Sequence, residues 1–254
     1  MLSFLAPDEP AAFVQEGLTR PGRFFITIEH AGRAIPRQLG DLGLRAADRE
    51  RHIFSDLGAD PLGSTLARLL DAPLHKSSYS RLVIDVNRDP DHPEAMPALA
   101  DGTRVPANEN LSQAARKQRI EALFTPYHEA LDKALAARQQ PLLVFVHSMT
   151  PALASQPTAA PRLPVTVLHN ADTRLAEPLL ARIRASGIKT AANEPYSGFD
   201  HTAYTLHRHG LSQNRPHVAI EVRQDLLHDR AGQQLWATRL ADRLDGAARD
   251  AALL

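Results

Sequence analysis

Residues 142–150 read LLVFVHSMT, a run of aliphatic and aromatic residues that ends in a histidine and small polar side chains. Four similar short runs rich in β-branched or aromatic residues lie at 24–28, 82–86, 165–168 and 218–222. Runs of this length and nearly continuous apolar character are typical of strands in a sheet that is covered on both faces. We therefore predict five strands, with residues 142–146 as the first part of the quoted segment.

Helical patterns alternate with these runs. Segments 63–70, 112–138, 176–185 and 233–254 place apolar residues three and four positions apart, which is the spacing of one buried helical stripe. Pro126 interrupts the second segment, so we expect a break or kink there, with a second helix starting near it. The alternation of strands and helices predicts an α/β fold, and the chain shows no linker or repeat, so residues 1–254 are interpreted as one domain.

The composition narrows the chemistry. The 254 residues are 43% hydrophobic, and 29 basic side chains balance 29 acidic ones. This balance gives no electrostatic signal for nucleic acid or an acidic membrane surface. Because there is no cysteine among the residues but there are 12 histidines, thiolate metal sites and a cysteine nucleophile are excluded. Any transition metal would have to be held by imidazole and carboxylate groups.

No targeting or membrane segment is visible in the sequence. The N-terminal residues lack a basic region, and the longest apolar runs are far shorter than the roughly 20 residues that cross a bilayer. We therefore expect a cytoplasmic protein that acts on a small molecule, without a nucleic-acid or membrane partner, as a monomer or small homo-oligomer.

Polar side chains cluster where the predicted strands end. In open α/β sheets, ligands bind outside the carboxyl ends of the strands, where loops from several strands meet. The five strand ends carry the following residues: Glu29 and His30; Asn87 and Arg88; His147 and Ser148; His169, Asn170 and Asp172; Glu221 and Arg223. This pattern predicts a site at one edge of the sheet.

The histidines at two of these ends indicate a metal site. Hydrolytic zinc sites commonly use two histidines and one carboxylate and keep one position open. His30 and His147 are the candidate imidazole ligands, and either Asp56 or Glu29 supplies the third ligand. We favour Asp56, because Glu29 directly precedes His30 on an extended chain and adjacent side chains point to opposite faces of a strand.

A base and positively charged groups complete the candidate site. Glu221 lies inside an apolar strand, where a carboxylate is costly unless it is paired or works as an acid–base group. A salt bridge to a nearby arginine is the structural alternative for this residue. Arginine binds carboxylates through two parallel hydrogen bonds, so positive charge near the strand ends fits a substrate carboxylate or a polarised carbonyl. The residues that offer such donors are Arg81, Asn87, Arg88 and Arg208.

Two proline-rich segments, 87–110 and 148–164, show almost no periodicity. Long segments of this kind in a compact domain usually have a functional role. We expect them to cover a small pocket, which favours a small substrate over a large one.

Seven blocks of the sequence together resemble the N-formylglutamate amidohydrolase family, and their order and spacing agree with it over about 200 residues. A more distant similarity is to zinc carboxypeptidases, although their HxxE ligand motif is absent. The blocks are EHAGRAIP (29–36), HIFSDLGAD (52–60), SRLVIDVNRDP (80–90), VHSMTP (146–151), NADTRL (170–175), NEPYSGFDHTAYTLHRHG (193–210) and HVAIEVRQDLL (217–227).

The resemblance implies a zinc-peptidase-like, three-layer α/β/α fold with a central, mostly parallel or mixed sheet. It also implies hydrolysis of the formyl or acyl amide of an N-acyl amino acid such as N-formylglutamate. His30, Asp56 and His147 would bind Zn²⁺, or another divalent transition metal such as Co²⁺, and Glu221 would be the general base. The substrate would be bound by the residues that match the family's segments, namely Asn87, Arg88, Tyr204, Thr205, Arg208 and His209.

In the mechanism that this resemblance implies, Arg81 or Arg88 stabilises the tetrahedral oxyanion, and His128 and His209 orient the groups around the metal. Two other functions stay open. One is a metallocarboxypeptidase or another amidase with a larger substrate. The other is a protein on the same fold that binds carboxylates without catalysis.

Overall fold

The computed structural model describes residues 4–155 and 162–254, so residues 156–161 of the predicted 148–164 loop lie outside the described residues. The described strands are β1 (Phe13–Glu16), β2 (Phe24–Ile28), β3 (Leu74–Ser77), β4 (Leu99–Ala100), β5 (Thr103–Arg104), β6 (Leu142–Met149), β7 (Val165–Leu168), β8 (Thr190–Ala192) and β9 (His217–Arg223). The α-helices are α1 (Ala59–Leu69), α2 (Gln113–Arg119), α3 (Thr125–Ala136), α4 (Ala176–Ala185) and α5 (Arg230–Asp250).

Seven strands form a mixed sheet in the order β1-β3-β2-β6-β9-β7-β8, and β4 pairs separately with β5. The central strands β3, β2, β6 and β9 run parallel to one another. Strand β1 is antiparallel to β3, and β7 is antiparallel to β9. This arrangement confirms the predicted α/β class with a central mixed sheet.

Helices and irregular segments cover both faces of the sheet. Residues Phe24, Ile26 and Ile28 of β2 face one cluster of buried side chains, which they share with α1, α4 and α5. The alternate residue Phe25 faces the opposite cluster, which includes α3 and the buried segment 82–86. Because strand side chains alternate between faces, these clusters make two apolar layers, one on each side of the sheet.

The prediction of a strand at 82–86 is wrong. All five side chains are buried, but the segment forms turns and irregular backbone without a neighbouring strand. Side chains satisfy its carbonyl groups instead: Asn108 donates to Leu82 O at 2.8 Å, and Arg119 donates to Val83 O at 2.8 Å. A buried irregular segment can therefore carry the same apolar pattern as a buried strand.

The other predicted strands are confirmed, with β2 and β7 at the expected bounds and β6 and β9 slightly longer. The helix predicted at 112–138 appears as α2, a π-helical turn at Ile120–Phe124, and α3. The amide of Thr125 bonds to Ile120 O across this wider turn, directly before Pro126. The disturbance is thus where Pro126 predicted it, but the helix continues through it.

The antiparallel direction of β7 changes one expectation about the strand ends. Its carboxyl end points away from the ends of β6 and β9, so Asn170 bonds to His217 at the start of β9. His169, Asn170 and Asp172 consequently lie at the opposite edge of the sheet from Glu221. In the part of the chain that the structure describes, no helix is long and apolar enough to cross a membrane.

Candidate active site

The end of β2, the segment before α1 and the end of β6 bring three buried residues together. The Nδ1 atom of His30 lies 3.3 Å from Oδ2 of Asp56, and Nδ1 of His147 lies 3.0 Å from the same oxygen. One ligand atom from each of the three residues lies within 4.8 Å of the others. Two imidazole nitrogens and one carboxylate oxygen form the donor set of an open zinc site. These residues could therefore hold a metal ion.

Close backbone packing fixes the position of this group. A Cβ atom at Gly32, two positions after His30, would lie 2.3 Å from the backbone of Ser78 and Tyr79. Only glycine therefore allows the chain to run this close to residues 78 and 79. The amide of Asp56 donates to His30 O at 3.0 Å, and the Ser148 hydroxyl donates to Leu57 O at 2.7 Å. These bonds join the segment before α1 to β2 and β6.

The second nitrogen of each histidine ring faces a carboxylate. His30 Nε2 lies 2.8 Å from Oδ1 of Asp85, and His147 Nε2 lies 3.3 Å from Oε2 of Glu29. Metal-binding histidines commonly use their other nitrogen in this way, which fixes ring orientation and raises ligand basicity. Glu29, the alternative third ligand in the sequence, thus lies on the side of His147 remote from Asp56.

Asp85 is a site residue that the sequence reasoning missed. Asp85 is an acidic residue inside an apolar run, as Glu221 is. The pattern that singled out Glu221 could therefore also have found Asp85. Arg81 joins it to the ligand group, with Nη2 2.8 Å from Asp85 and Nη1 3.2 Å from Asp56. Burial opposes ionisation of Asp85, but the charges of His30 and Arg81 outweigh burial and hold the pKa of Asp85 well below its usual range.

The site has more negative than positive fixed charge. Four buried carboxylates (Glu29, Asp56, Asp85 and Glu221) face two guanidiniums, Arg81 and Arg88. Burial lowers the pKa of His147, yet the hydrogen bond to Asp56 and the charges of Glu29 and Glu221 outweigh this effect and raise the pKa to about 9. The environment therefore favours additional positive charge, as a divalent cation would supply it.

Glu221 lies beside His147, because the two residues are register partners in the parallel pair of β6 and β9. Its carboxylate lines the same cavity as His30, Asp56 and His147. Among the described residues, no ion pair within 4.0 Å involves Glu221, so the arginine salt bridge considered above is not formed there. Burial is the largest influence and raises the pKa of Glu221.

A cavity of about 90 Å³ connects these groups. Asn87, Arg88 and Thr205 form one part of its wall, and Arg81 lines the cavity next to Asp56. Asn87 Oδ1 accepts hydrogen bonds from the Thr205 amide at 3.0 Å and the Thr205 hydroxyl at 2.7 Å, and Asn87 Nδ2 donates to Thr202 O at 3.0 Å. Thr205 therefore contributes to this wall mainly by holding the Asn87 amide.

Three predicted substrate-binding residues do not line the cavity. Tyr204, Arg208 and His209 lie behind its wall: Arg208 donates to the Tyr204 hydroxyl at 3.2 Å and to Asp132 at 3.0 Å, and His209 is fully buried. His128 lies beside them rather than next to the candidate metal ligands. The expected roles of His128 and His209 in orienting the metal site therefore have no support in this geometry.

Two further residues at the cavity were absent from the sequence-based candidates. His52 lies four positions before Asp56, and Tyr196 belongs to the segment after β8; both line the cavity. The spacing of His52 from Asp56 was a usable signal, whereas nothing in the local pattern indicated Tyr196. The predicted covering segments also meet near the site, since the amides of Ala154 and Ser155 both donate to Asp101 at 3.0 Å.

A mixed α/β sheet that gathers two imidazoles, several carboxylates and two guanidiniums around one small cavity is typical of hydrolytic enzymes. The family model of N-formylglutamate amidohydrolase matches residues 22–228. The chain belongs to this family and is an amidohydrolase, as the resemblance of the sequence blocks predicted.

Solved structures support the same fold. A gene product of Agrobacterium tumefaciens shares 31% identity with the chain at a TM-score of 0.93, over 97% of this chain and 98% of that one. An N-formylglutamate amidohydrolase of Ralstonia eutropha shares 22% identity at a TM-score of 0.68, over 96% of this chain and 98% of its own. At this lower identity, the second likeness shows the fold alone. No curated protein matches the chain.

Proposed function

We propose that the protein is a metal-dependent hydrolase that cleaves the formyl amide of an N-formyl amino acid such as N-formylglutamate, releasing formate and the free amino acid. The observation that carries this proposal is the convergence of His30, Asp56 and His147 in the same cavity as the buried carboxylate of Glu221. The same cavity is lined by Arg88 and Asn87, which suit the carboxylate of an amino acid.

The donor set and the surplus of buried carboxylates fit a divalent transition metal, with Zn²⁺ as the first choice and Co²⁺ as a substitute. When bound, such an ion supplies Lewis acidity, which makes a water molecule more acidic and polarises the scissile carbonyl. Asp85 and Glu29 keep the two histidine rings oriented through their Nε2 atoms. Arg81 holds Asp56 and Asp85 in place at the same time.

Glu221 is assigned the proton transfers. A base works best when its pKa lies near the working pH, and burial raises the pKa of Glu221 in that direction. In the proposed reaction, Glu221 removes a proton from the attacking water and returns it to the nitrogen of the leaving amine. The guanidinium of Arg81 stabilises the negative charge that develops on the formyl oxygen.

The substrate carboxylate is assigned to Arg88 and Asn87. Arg88 Nη1 donates to Thr202 O at 3.0 Å, which holds the guanidinium at the wall of the cavity. Asn87 keeps one of its two amide hydrogens for a ligand, since the other bonds to Thr202 O. The small volume of the cavity favours a formyl group and a single amino acid over a peptide or a cell-wall fragment.

The test combines metal analysis with substrate profiling. We expect purified protein to carry about one equivalent of metal, and chelation to abolish formate release from N-formylglutamate until Zn²⁺ or Co²⁺ is restored. N-acetylglutamate and a C-terminal peptide substrate distinguish formyl hydrolysis from a broader amidase or a carboxypeptidase. Protein that binds no metal and gains no activity from added ions would overturn the proposal, and binding of amino acids without turnover would favour the non-catalytic alternative.

A further inference from the structure

A chain of three hydrogen bonds runs behind the substrate-facing wall of the cavity. It starts at the half-exposed carboxylate of Asp132, whose Oδ1 lies 2.9 Å from His209 Nδ1. The Nε2 atom of His209 lies 2.8 Å from His128 Nδ1, and His128 Nε2 lies 3.0 Å from Val86 O. Both rings are buried and stacked, with an angle of 17° between their planes. We call these residues the Asp132–His209–His128 chain.

The partners at both ends restrict where protons can be. A carbonyl oxygen only accepts, so His128 Nε2 carries a hydrogen, and an ionised carboxylate only accepts, so His209 Nδ1 carries one too. The bond between the two rings needs a third hydrogen, on either His128 Nδ1 or His209 Nε2. Three hydrogens on four ring nitrogens give the pair of imidazoles one positive charge. The complete chain therefore exists only when the two rings share one extra proton.

The surroundings place this charge on the His209 side. Burial and the positive charges of His209 and Arg208 together hold the pKa of His128 well below its usual range, so that ring is neutral. Burial opposes ionisation of Asp132, but its hydrogen bonds from His209 and Arg208 lower the pKa to about 2. Asp132 is thus the counter-ion of the extra proton. The titratable or charged groups around the two rings are Tyr127 and Asp132 of α3, Tyr204 and Arg208 of the segment beside it, Arg215 after that segment, and His75 of β3.

The Asp132–His209–His128 chain joins the three parts of the molecule that form the wall. His128 and Asp132 lie on α3, whereas His209 follows Thr205 within the same helical segment. The third part is Val86, the residue directly before Asn87. Its carbonyl oxygen accepts the hydrogen bond from His128. Thr205 in turn holds the Asn87 side chain through two hydrogen bonds. Both the backbone before Asn87 and the Asn87 side chain are therefore held by residues behind the wall.

We propose that Asp132, His209 and His128 are positioning residues whose shared proton fixes the wall formed by Asn87, Arg88 and Thr205 for binding the substrate carboxylate. The inference rests on the proposed function, because it takes this wall to bind substrate. Loss of the extra proton breaks one of the three bonds, so the wall is held less firmly and substrate binding weakens.

The Asp132→Ala variant tests this role, because it removes both the counter-ion and the hydrogen-bond acceptor at the outer end of the chain. Losing a hydrogen bond to a charged group costs enough to weaken binding about tenfold. We therefore expect KM for N-formylglutamate to rise about tenfold, with kcat within about twofold of the wild type.

A second variant and a control separate positioning from general damage. His128→Gln keeps a donor for Val86 O that does not depend on the extra proton, so KM should stay within about twofold of the wild type. Glu129→Gln removes one charge from the exposed side of the same helix and should match the wild type in KM, kcat and pH profile. Metal content should be equal in all four proteins.

Nitrogen-15 NMR of the histidine rings supplies a readout that does not depend on activity. The signals lost in His128→Gln and His209→Gln assign the two rings, and three of their four nitrogens should carry hydrogen at neutral pH. If only two carry hydrogen, or if Asp132→Ala keeps the wild-type KM, the proposal is wrong. A wild-type protein that hydrolyses no N-formyl amino acid would instead refute the proposed function, while the NMR count would still decide the protonation of the chain.

Discussion

A carboxylate in the middle of an apolar strand requires an explanation, and Glu221 has no ion-pair partner among the described residues that would provide one. Its position beside His147 across β6 and β9 puts it within the cavity, and burial raises its pKa. A structural acid would gain stability from a partner, whereas a base needs its lone pairs free for substrate and water. The geometry at this residue therefore favours proton transfer.

Replacement of this base tests the assignment. We expect Glu221→Gln to lower kcat for formate release by about 10²–10⁴-fold, which is the range of general acid–base catalysis. Metal content should not change, because Glu221 is not one of the three converging ligands. Since the deprotonated form is the active base and its pKa is raised, wild-type kcat/KM should fall with acid pH at a value above the ordinary glutamate range. A Glu221→Gln protein that retains a third of wild-type kcat would contradict the role.

Individual residues were predictable from the sequence where a titratable side chain stood in an apolar strand or at its end, because burying such a group is costly. His30, His147 and Glu221 stood at strand ends or inside an apolar strand, and the structure brings them together. Tyr204 had only its match to the family's segments, and Arg208 had that match and its positive charge; the structure places both behind the wall. Side-chain direction on a helical segment depends on what the helix packs against, which the local sequence does not show.

At the scale of elements, the continuous apolar runs predicted β2, β6, β7 and β9, but they did not predict β1, β3 and β8 of the same sheet. Segment 82–86 shows the limit of prediction from apolar runs, because burial alone produces the same pattern. Its backbone carbonyl groups bond to side chains that are distant in sequence, such as Asn108 and Arg119. Strand β3 was missed for the opposite reason. It contains His75 and Lys76, so its sequence lacks an apolar pattern although His75 is fully buried.

The burial of His75 has a consequence for stability. Both ring nitrogens lack a hydrogen-bond partner among the described residues, and the ring packs against Phe13 and Tyr127. Burial, with a smaller contribution from the charge of His209, lowers its pKa from 6.5 to about 3. The unfolded chain therefore binds a proton at mildly acid pH that the folded chain does not bind. Because of this difference, the folded state loses stability as pH falls from 6.5 towards 3.

The His75→Phe variant measures this contribution. One pKa unit corresponds to about 1.4 kcal/mol, so the unfolded-state protonation of His75 should cost about 2 kcal/mol at pH 5. We expect the variant to lose about 2 kcal/mol less than the wild type between pH 7 and pH 5, in urea titrations with a chelator present. His228→Phe, at an exposed position, is the control and should keep the wild-type pH dependence. Equal pH dependence of His75→Phe and the wild type would show that the ring is not held neutral.

At the scale of the whole molecule, the zero formal charge conceals an uneven distribution. The surface carries paired ions, whereas the site buries four carboxylates near two guanidiniums. The sequence predicted the α/β class and the edge of the sheet at which the site forms. It did not show that β7 runs antiparallel to β9, because strand direction depends on connections and packing rather than on local pattern.

The same charge distribution predicts how a metal affects the entire fold. His30 follows β2, Asp56 precedes α1 and His147 belongs to β6. An ion on these three residues would therefore link two central strands to the segment that leads into α1. A ligand at 100 times its Kd stabilises the folded state by about 2.7 kcal/mol, which corresponds to a rise in Tm of about 5–10 °C for a chain of this size. We expect this rise for Zn²⁺ or Co²⁺ added to chelated protein, and none for Mg²⁺, which prefers oxygen ligands. Asp56→Asn should fold but show no comparable rise, since its amide replaces the carboxylate shared by both histidines. If Zn²⁺ raised the Tm of Asp56→Asn as much as that of the wild type, the ion would be bound elsewhere on the protein.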